Sequence, residues 1–140
     1  MKIDKNKYLK MIEAFLFVGS DLVDEKDIKL KIPKGINIKK YLSELKNIGA
    51  EIIGISSDSI TNHQKFAKNF YVNYNLLSDY KKKVRKLFGV PKSFFGLLPG
   101  RVTYIFDPNR KLLKIINLQF DINSHITISK KIIKEYKISE

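Results

Sequence analysis

Apolar positions recur along the chain with two different periods, and together they predict alternating strands and helices. "EAFLFVGS" (13–20) predicts a short buried strand, and "AEIIGIS" (50–56) is a continuous apolar run, typical of a strand covered on both faces. Near the end, "RVTYIFD" (101–107) and "KLLKIINLQF" (111–120) predict two strands joined by a Pro–Asn turn. These last two strands are expected to form an antiparallel hairpin.

Apolar residues spaced three and four apart predict the helices. One begins near Asn37, a candidate N-cap, and ends at Gly49. After "SDS" (57–59) a second helix is predicted, whose inner side carries Ile60, His63, Ala67 and Phe70. The predicted helices span about 37–48, 60–70, a short basic stretch at 80–88, and 122–136.

The resulting order is β-α-β-α, a short helix, then β-β-α, which is the order of the thioredoxin fold. We therefore predict an α/β, thioredoxin-like fold in which helices flank a central mixed sheet. At 140 residues the chain suits a single domain, 1–140. Its predicted core contains Leu45, Ile52, Ile53, Ile55, Val102, Tyr104, Phe106 and Ile133.

The chain is strongly basic, with a formal net charge of +13 and an isoelectric point near 9.8. Such a charge favours an acidic partner such as RNA, an anionic membrane surface or an acidic protein. However, only Arg85, Arg101 and Arg110 are arginines, whereas Lys, Ile and Asn, which have A/T-rich codons, abound. Codon bias and a functional basic surface therefore both remain open as explanations.

The absence of cysteine limits the chemistry of this chain. It excludes disulfides, thiolate metal sites and thiol redox reactions. His63 and His125 are far apart in the sequence and are expected to pack or cap, so that no metal or other cofactor is predicted. No apolar run is long enough to cross a bilayer, and the first 20 residues favour a strand over a signal peptide.

Several motifs together resemble a known family. "GAEIIGISSDSITNHQKFAKNF" (49–70), "NLLSDYKKKVRKLFGVPKSFFGLLPGRVTYIFD" (75–107) and "NLQFDINSHI" (117–126) are similar to the peroxiredoxin Q, or bacterioferritin-comigratory, peroxiredoxins. The similarity covers roughly 49–126 almost without gaps. The form "GLLPGR" resembles cyanobacterial and plastid members in particular.

The resemblance implies a hydroperoxide-reducing site, but this chain departs from the family pattern at the chemical centre. The family's reactive cysteine lies at the start of the first core helix, where the helix dipole and an Arg favour the thiolate. Counting back from Gly49 places that position at Lys31, and the resolving cysteine expected near Ile36 is also absent. Arg101 matches the active-site Arg, and with Thr103 and Lys31 it marks a vestigial pocket. The family's N-terminal hairpin is missing, which predicts an N-terminally truncated, degenerate peroxiredoxin.

Two exposed-looking segments are candidates for a partner surface. "KKKVRK" (81–86) is the densest basic run, flanked by Tyr80 and Phe88 that permit base stacking, although a solvated helix face also explains it. The apolar loop "SFFGLL" could cover the pocket or contact a partner. The candidate residues are Phe94, Phe95, Leu97, Leu98, Lys81, Lys82, Lys83, Arg85 and Lys86.

The sequence thus indicates a catalytically inactive peroxiredoxin-like domain that serves as a binding or structural subunit of a larger organellar assembly. The expected location is the plastid, with the cytoplasm and the mitochondrion as alternatives. The expected partner is a protein complex with an acidic surface, and RNA of an organellar ribosome is the alternative. A second function class is a thiol peroxidase whose activity depends on another chain.

Overall fold

The computed structural model describes residues 12–17, 38–93, 98–118 and 121–139 of the chain. In these ranges the chain forms all the predicted strands and helices and three further short strands. The elements are β1 (Ile12–Phe17), α1 (Ile38–Asn47), β2 (Ala50–Ser56), α2 (Ile60–Phe70), β3 (Asn75–Ser78), α3 (Lys83–Leu87), β4 (Lys92–Ser93), β5 (Leu98–Pro99), β6 (Val102–Phe106), β7 (Leu112–Asn117) and α4 (Ile122–Ser139).

Five strands form one mixed sheet in the order β3-β2-β1-β6-β7. β1, β2 and β3 run parallel, whereas β6 pairs antiparallel with both β1 and β7. Ala14 of β1 lies opposite Ile52 on one side and Ile105 on the other, so β1 is the central strand. A parallel half joined to an antiparallel hairpin is the thioredoxin-like arrangement, and the predicted fold is confirmed.

One face of the sheet packs against α1 and α4. Its buried core consists of Leu45, Ala50, Ile52, Ile105, Ile116 and Ile133. Ile105 and Ile133 are completely buried, and each stabilises the fold by about 1.5–3 kcal/mol through loss of water contact. An ion pair between Lys130 of α4 and Glu44 of α1 joins the two helices above this core.

The opposite face is covered by the short helix α3. Val102, Tyr104 and Phe106 alternate along β6 and share this face, as the sequence predicted. They pack with Ile55 of β2, and α3 contributes Val84. Every residue of the predicted core is therefore buried or partly buried in one of the two clusters.

Local hydrogen bonds explain where several elements begin and end. Ser59 caps α2 by accepting the backbone N–H of Asn62 at 3.2 Å, as the "SDS" motif predicted. In the β6–β7 turn, the Asp107 carboxylate accepts the N–H of Lys111 at 2.8 Å. α1 is followed by Gly49 at φ 81°, a conformation that favours glycine.

The structure corrects the sequence predictions in five places. β3 was not predicted, and neither was the pairing of β4 with β5. The basic helix is shorter than 80–88, because Lys82 has φ 55° and a turn occupies the two preceding residues. Ile60 is 67% exposed and not on the inner side, since it lies in the first turn of α2 beside the cap. α4 continues three residues beyond the predicted end at 136.

Some predictions concern parts of the chain outside the described residues. They are the pocket position at Lys31, the N-cap at Asn37, and the partner surface formed by the loop residues Phe94, Phe95 and Leu97. Leu98 is described through its backbone, which pairs with Ser93.

Candidate functional site

The structure brings Thr103 and His125 together beside Arg101, at the point where β6 begins and α4 has completed its first turn. Thr103 projects from the face of β6 that meets α4, and Arg101 immediately precedes the strand. Thr103 and His125 are each 3% exposed, whereas Arg101 is half-buried. Two of the three predicted pocket residues, Arg101 and Thr103, are thus neighbours of a histidine that the sequence assigned only to capping or packing.

Hydrogen bonds determine which nitrogen of His125 carries the proton. Nε2 lies 2.7 Å from the carbonyl oxygen of Leu118, which can only accept, so Nε2–H donates. In the neutral ring Nδ1 then has a lone pair, and it accepts the hydroxyl of Thr103 at 2.8 Å. The chain of bonds Thr103–His125–Leu118 ties β6, the end of β7 and α4 together.

The surroundings of this histidine favour its neutral form. Burial is the largest effect and lowers the pKa of His125; the hydrogen bond to the Leu118 carbonyl opposes it, and the positive charge of Arg101 lowers the pKa further. Burial also lowers the pKa of the Arg101 guanidinium from its very high ordinary value. The site thus contains one cationic group, Arg101, next to a neutral imidazole.

A hydroxyl bonded to an imidazole has the form of a nucleophile–base pair, but this pair is closed to substrates. Both Thr103 and His125 are almost fully buried, and both nitrogens of the imidazole are occupied. The arrangement can hold Arg101 and the start of α4 in place. It offers no group that attacks a peroxide oxygen.

The second histidine forms a separate buried cluster at the carboxyl end of β2. His63 is buried, and its Nε2 lies 2.6 Å from Oγ of Ser56. That hydroxyl donates to Oδ2 of Asp58 at 3.1 Å, so His63 is the donor to Ser56. A histidine that donates to serine cannot deprotonate it, and burial lowers the pKa of His63. The prediction that His63 is a core histidine is confirmed.

The basic run 81–86 divides into an inward and an outward part. Arg85 is half-buried, and its Nη1 donates to the carbonyl oxygen of Gly100 at 3.2 Å. Gly100 itself lies against Pro91, since a Cβ there would come within 1.8 Å of the Pro91 carbonyl oxygen. Arg85 therefore supports the segment that leads into Arg101 and is not part of the outer surface.

The remaining positive charges of this run face solvent. Lys81, Lys82, Lys83 and Lys86 are exposed, and Tyr80 and Leu87 beside them are 76% and 82% exposed. We call these six side chains the basic turn. Phe88, the second aromatic residue predicted to be available for stacking, is half-buried and packs edge-to-face on Tyr104 at 5.2 Å.

Sequence reasoning missed the partners of three functional candidates: His125 for Thr103, Ser56 for His63, and Gly100 for Arg85. Each bond joins residues that are 7 to 22 positions apart, and no local motif indicates them. Across 12–17, 38–93, 98–118 and 121–139, the structure contains no group of three or more potential metal ligands. Within the same ranges, no helix is long and apolar enough to cross a membrane.

Comparison with known proteins places this geometry in a family. The sequence profile of the AhpC/TSA family matches residues 34–115. The chloroplastic peroxiredoxin Q of Sedum lineare is 44% identical, over 67% of this chain and 50% of its own length. The chloroplastic peroxiredoxin Q of Arabidopsis thaliana is 46% identical, over 65% of this chain and 42% of its own length. The chain thus spans about half the length of these curated relatives, and their chloroplastic names support the predicted plastid location.

Solved structures agree with the fold. The bacterioferritin comigratory protein of Xanthomonas campestris, described with its alkyl peroxide reduction activity, superposes with a TM-score of 0.70 at 19% identity. The match covers 94% of this chain and 83% of that protein. Peroxidoxin BcpB of Mycobacterium tuberculosis superposes with a TM-score of 0.69 at 25% identity, and the match covers 89% of this chain and 79% of that protein.

The resemblance to peroxiredoxin Q that the motifs suggested is therefore confirmed. The profile match covers more than half of the chain, and the solved structures of this group share its fold. This chain belongs to the AhpC/TSA family, and it is a member without any cysteine.

Proposed function

We propose that this chain is a catalytically inactive peroxiredoxin-like domain that serves as a binding or structural subunit of a larger assembly in a plastid. One observation carries the proposal: the family core and Arg101 are present, but the chain contains no cysteine. Loss of the reactive atom with retention of the packed domain favours a role for the surface.

The chemistry supports inactivity. Thiol peroxidases need a thiolate nucleophile, which an adjacent positive charge and a helix N-terminus make available at neutral pH. Arg101 supplies a positive charge, but serine and threonine hydroxyls are poor nucleophiles towards peroxide. Oxidation of Met1 or Met11 would be stoichiometric and would need a separate repair enzyme.

A peroxidase assay tests the inactive part of the proposal. The purified chain is incubated with hydrogen peroxide and either a thioredoxin system or dithiothreitol, beside a cysteine-containing peroxiredoxin Q as positive control. We expect peroxide consumption equal to that of a protein blank. Turnover above the blank that disappears in Arg101→Ala would overturn the proposal, because it would show that the pocket still works.

Sedimentation of a native plastid lysate tests the assembly part. We expect the domain to migrate with larger particles at low salt and to be released as salt rises, because its exposed charge is mainly positive. If all of the protein migrates at its monomer mass of 16.3 kDa at low salt, the assembly role is wrong. The apolar loop residues Phe94, Phe95, Leu97 and Leu98 remain a predicted partner surface.

A further inference from the structure

The lysines of the basic turn differ from several lysines of α4 in forming no ion pair with a described acidic residue. On α4, Lys130 pairs with Glu44, and Lys131 lies 3.8 Å from Glu135. Within the described residues, the four lysines of the basic turn take part in no ion pair. Their side chains are exposed, and no acidic side chain of the described ranges neutralises their charge.

The one acid next to the basic turn is directed inward. Asp79 is buried, and its two carboxylate oxygens accept the backbone N–H groups of Val84 and Arg85 at 3.1 and 2.8 Å. Those N–H groups are thus already occupied, so α3 offers them to no external anion. The exposed lysine side chains are therefore the charged groups that this surface offers to a ligand.

The backbone of the basic turn has an unfavourable conformation at one of its lysines. Lys82 adopts φ 55°, the left-handed region that Gly, Asn and Asp tolerate better than a long side chain. A glycine there would relieve the strain, whereas lysine adds a charge between those of Lys81 and Lys83. A strained residue at an exposed turn is a reason to consider a function for its side chain.

The composition of the surface distinguishes between two classes of acidic partner. Protein–protein interfaces bury apolar cores enriched in aromatic residues and arginine and depleted in lysine. The basic turn has four lysines, and Arg85 is turned inward to Gly100. Surfaces that follow a single nucleic-acid strand combine lysines for phosphates with exposed aromatic rings for bases, and Tyr80 is such a ring.

We propose that the basic turn binds single-stranded RNA without base specificity, with the lysines contacting phosphates and a base stacking on Tyr80. Base-specific reading would need bidentate side chains such as arginine, and this surface has none exposed. The proposal rests on the proposed function, because it names the acidic component of the assembly. It is tested separately, because the peroxidase and sedimentation assays can succeed or fail whether or not the basic turn binds RNA.

The test measures fluorescence anisotropy of a labelled oligouridylate of about fifteen nucleotides, long enough to cover a surface of this kind. The full chain should bind with a dissociation constant of about 10 µM at about 50 mM salt. The logarithm of affinity should fall against that of salt with a slope of about −3, since each phosphate contact of a single strand contributes about −0.7.

Matched variants locate the site. The first variant should bind RNA at least about tenfold more weakly and show a flatter salt slope. It changes four lysines of the basic turn to Ala: Lys81, Lys82, Lys83 and Lys86. The control variant changes four exposed lysines elsewhere, Lys65, Lys68, Lys111 and Lys114, to Ala and removes the same charge. The control should retain most of the affinity. If both variants lose affinity equally, general charge explains binding and the proposal is wrong.

Tyr80 separates RNA from an acidic protein as the ligand. Tyr80→Ala should weaken oligouridylate binding about tenfold through loss of stacking, whereas Tyr80→Phe should retain it. Poly-L-glutamate is the competing probe: if it displaces RNA charge for charge and Tyr80→Ala has no effect, the surface is one for acidic proteins and the RNA proposal fails. Photocrosslinking of 4-thiouridine RNA to the unmodified chain should label the peptide 80–87, and labelling elsewhere would overturn the proposal.

Discussion

His125 joins three elements of the fold through the hydrogen bonds of its imidazole. Its imidazole connects Thr103 of β6 to the carbonyl of Leu118, and the proton on Nε2 makes Nδ1 an acceptor. A buried acceptor that loses its donor bears the full cost of leaving water. The hydroxyl of Thr103 therefore stabilises the fold more than an ordinary surface hydroxyl does.

Substitution of this threonine is the first stability prediction. Thr103→Val keeps the shape of the side chain but leaves Nδ1 of His125 without a donor, so the free energy of unfolding should fall by about 1–3 kcal/mol. Thr127→Val is the control, because that hydroxyl is exposed on α4, and it should change stability by less than about 0.5 kcal/mol. Urea denaturation measures both. Equal effects of the two substitutions would contradict the role given to Thr103.

At the scale of elements, the sequence predicted the strands whose side chains are buried in the core. It missed the short edge strand and the hydrogen bonds between distant segments. "AEIIGIS" and the alternation of Val102, Tyr104 and Phe106 indicated strands because both faces of the sheet are covered. β3 has only four residues at the edge of the sheet, which is too short for a period to be visible. The bonds of the two histidines depend on chain segments brought together by the fold, so no sequence pattern revealed them.

α3 shows how a very short helix can be maintained. Five residues are too few for a stable isolated helix, and among the described residues Val84 and the following Phe88 make its apolar contacts with the sheet. The Asp79 carboxylate supplies two hydrogen bonds to its first turn, and Tyr104 donates its hydroxyl to the Phe88 carbonyl at 2.8 Å. α3 and the basic turn therefore depend on a single buried acid.

Removal of that acid is the second stability prediction. Asp79→Ala should lower the free energy of unfolding by about 0.5–2 kcal/mol, as the loss of a helix cap does. Amide exchange should become faster at Lys86 and Phe88, whose N–H groups bond within this helix. Asp121→Ala removes an acceptor at the start of α4 and should leave exchange in α3 unchanged. Unaltered exchange in Asp79→Ala would show that packing alone maintains α3.

At the scale of the whole molecule, the stability of the fold should depend on pH through both buried histidines. The chain has two histidines, one bonded to Ser56 beside α2 and one at the start of α4. Burial is the largest cause that lowers the pKa of each from its ordinary value of 6.5. Glu44 and Asp121 have lowered pKa values as well, but these carboxylates titrate at much lower pH.

The sign of the pH effect follows from these directions. When a folded pKa lies below the unfolded value, the unfolded chain binds more protons between the two values, so stability rises with pH in that window. The stabilising effect of the neutral histidines is complete above about pH 6.5 and declines as the pH falls below it towards their folded pKa values. We expect a higher free energy of unfolding at about pH 7.5 than at about pH 5.5.

Replacement of both His63 and His125 by Gln should lower the free energy of unfolding at the higher pH. It should also reduce the difference in that free energy between the two pH values, because no histidine then remains. Urea titrations of both proteins measure this, and an undiminished difference in the double variant would assign the pH dependence to groups other than the histidines.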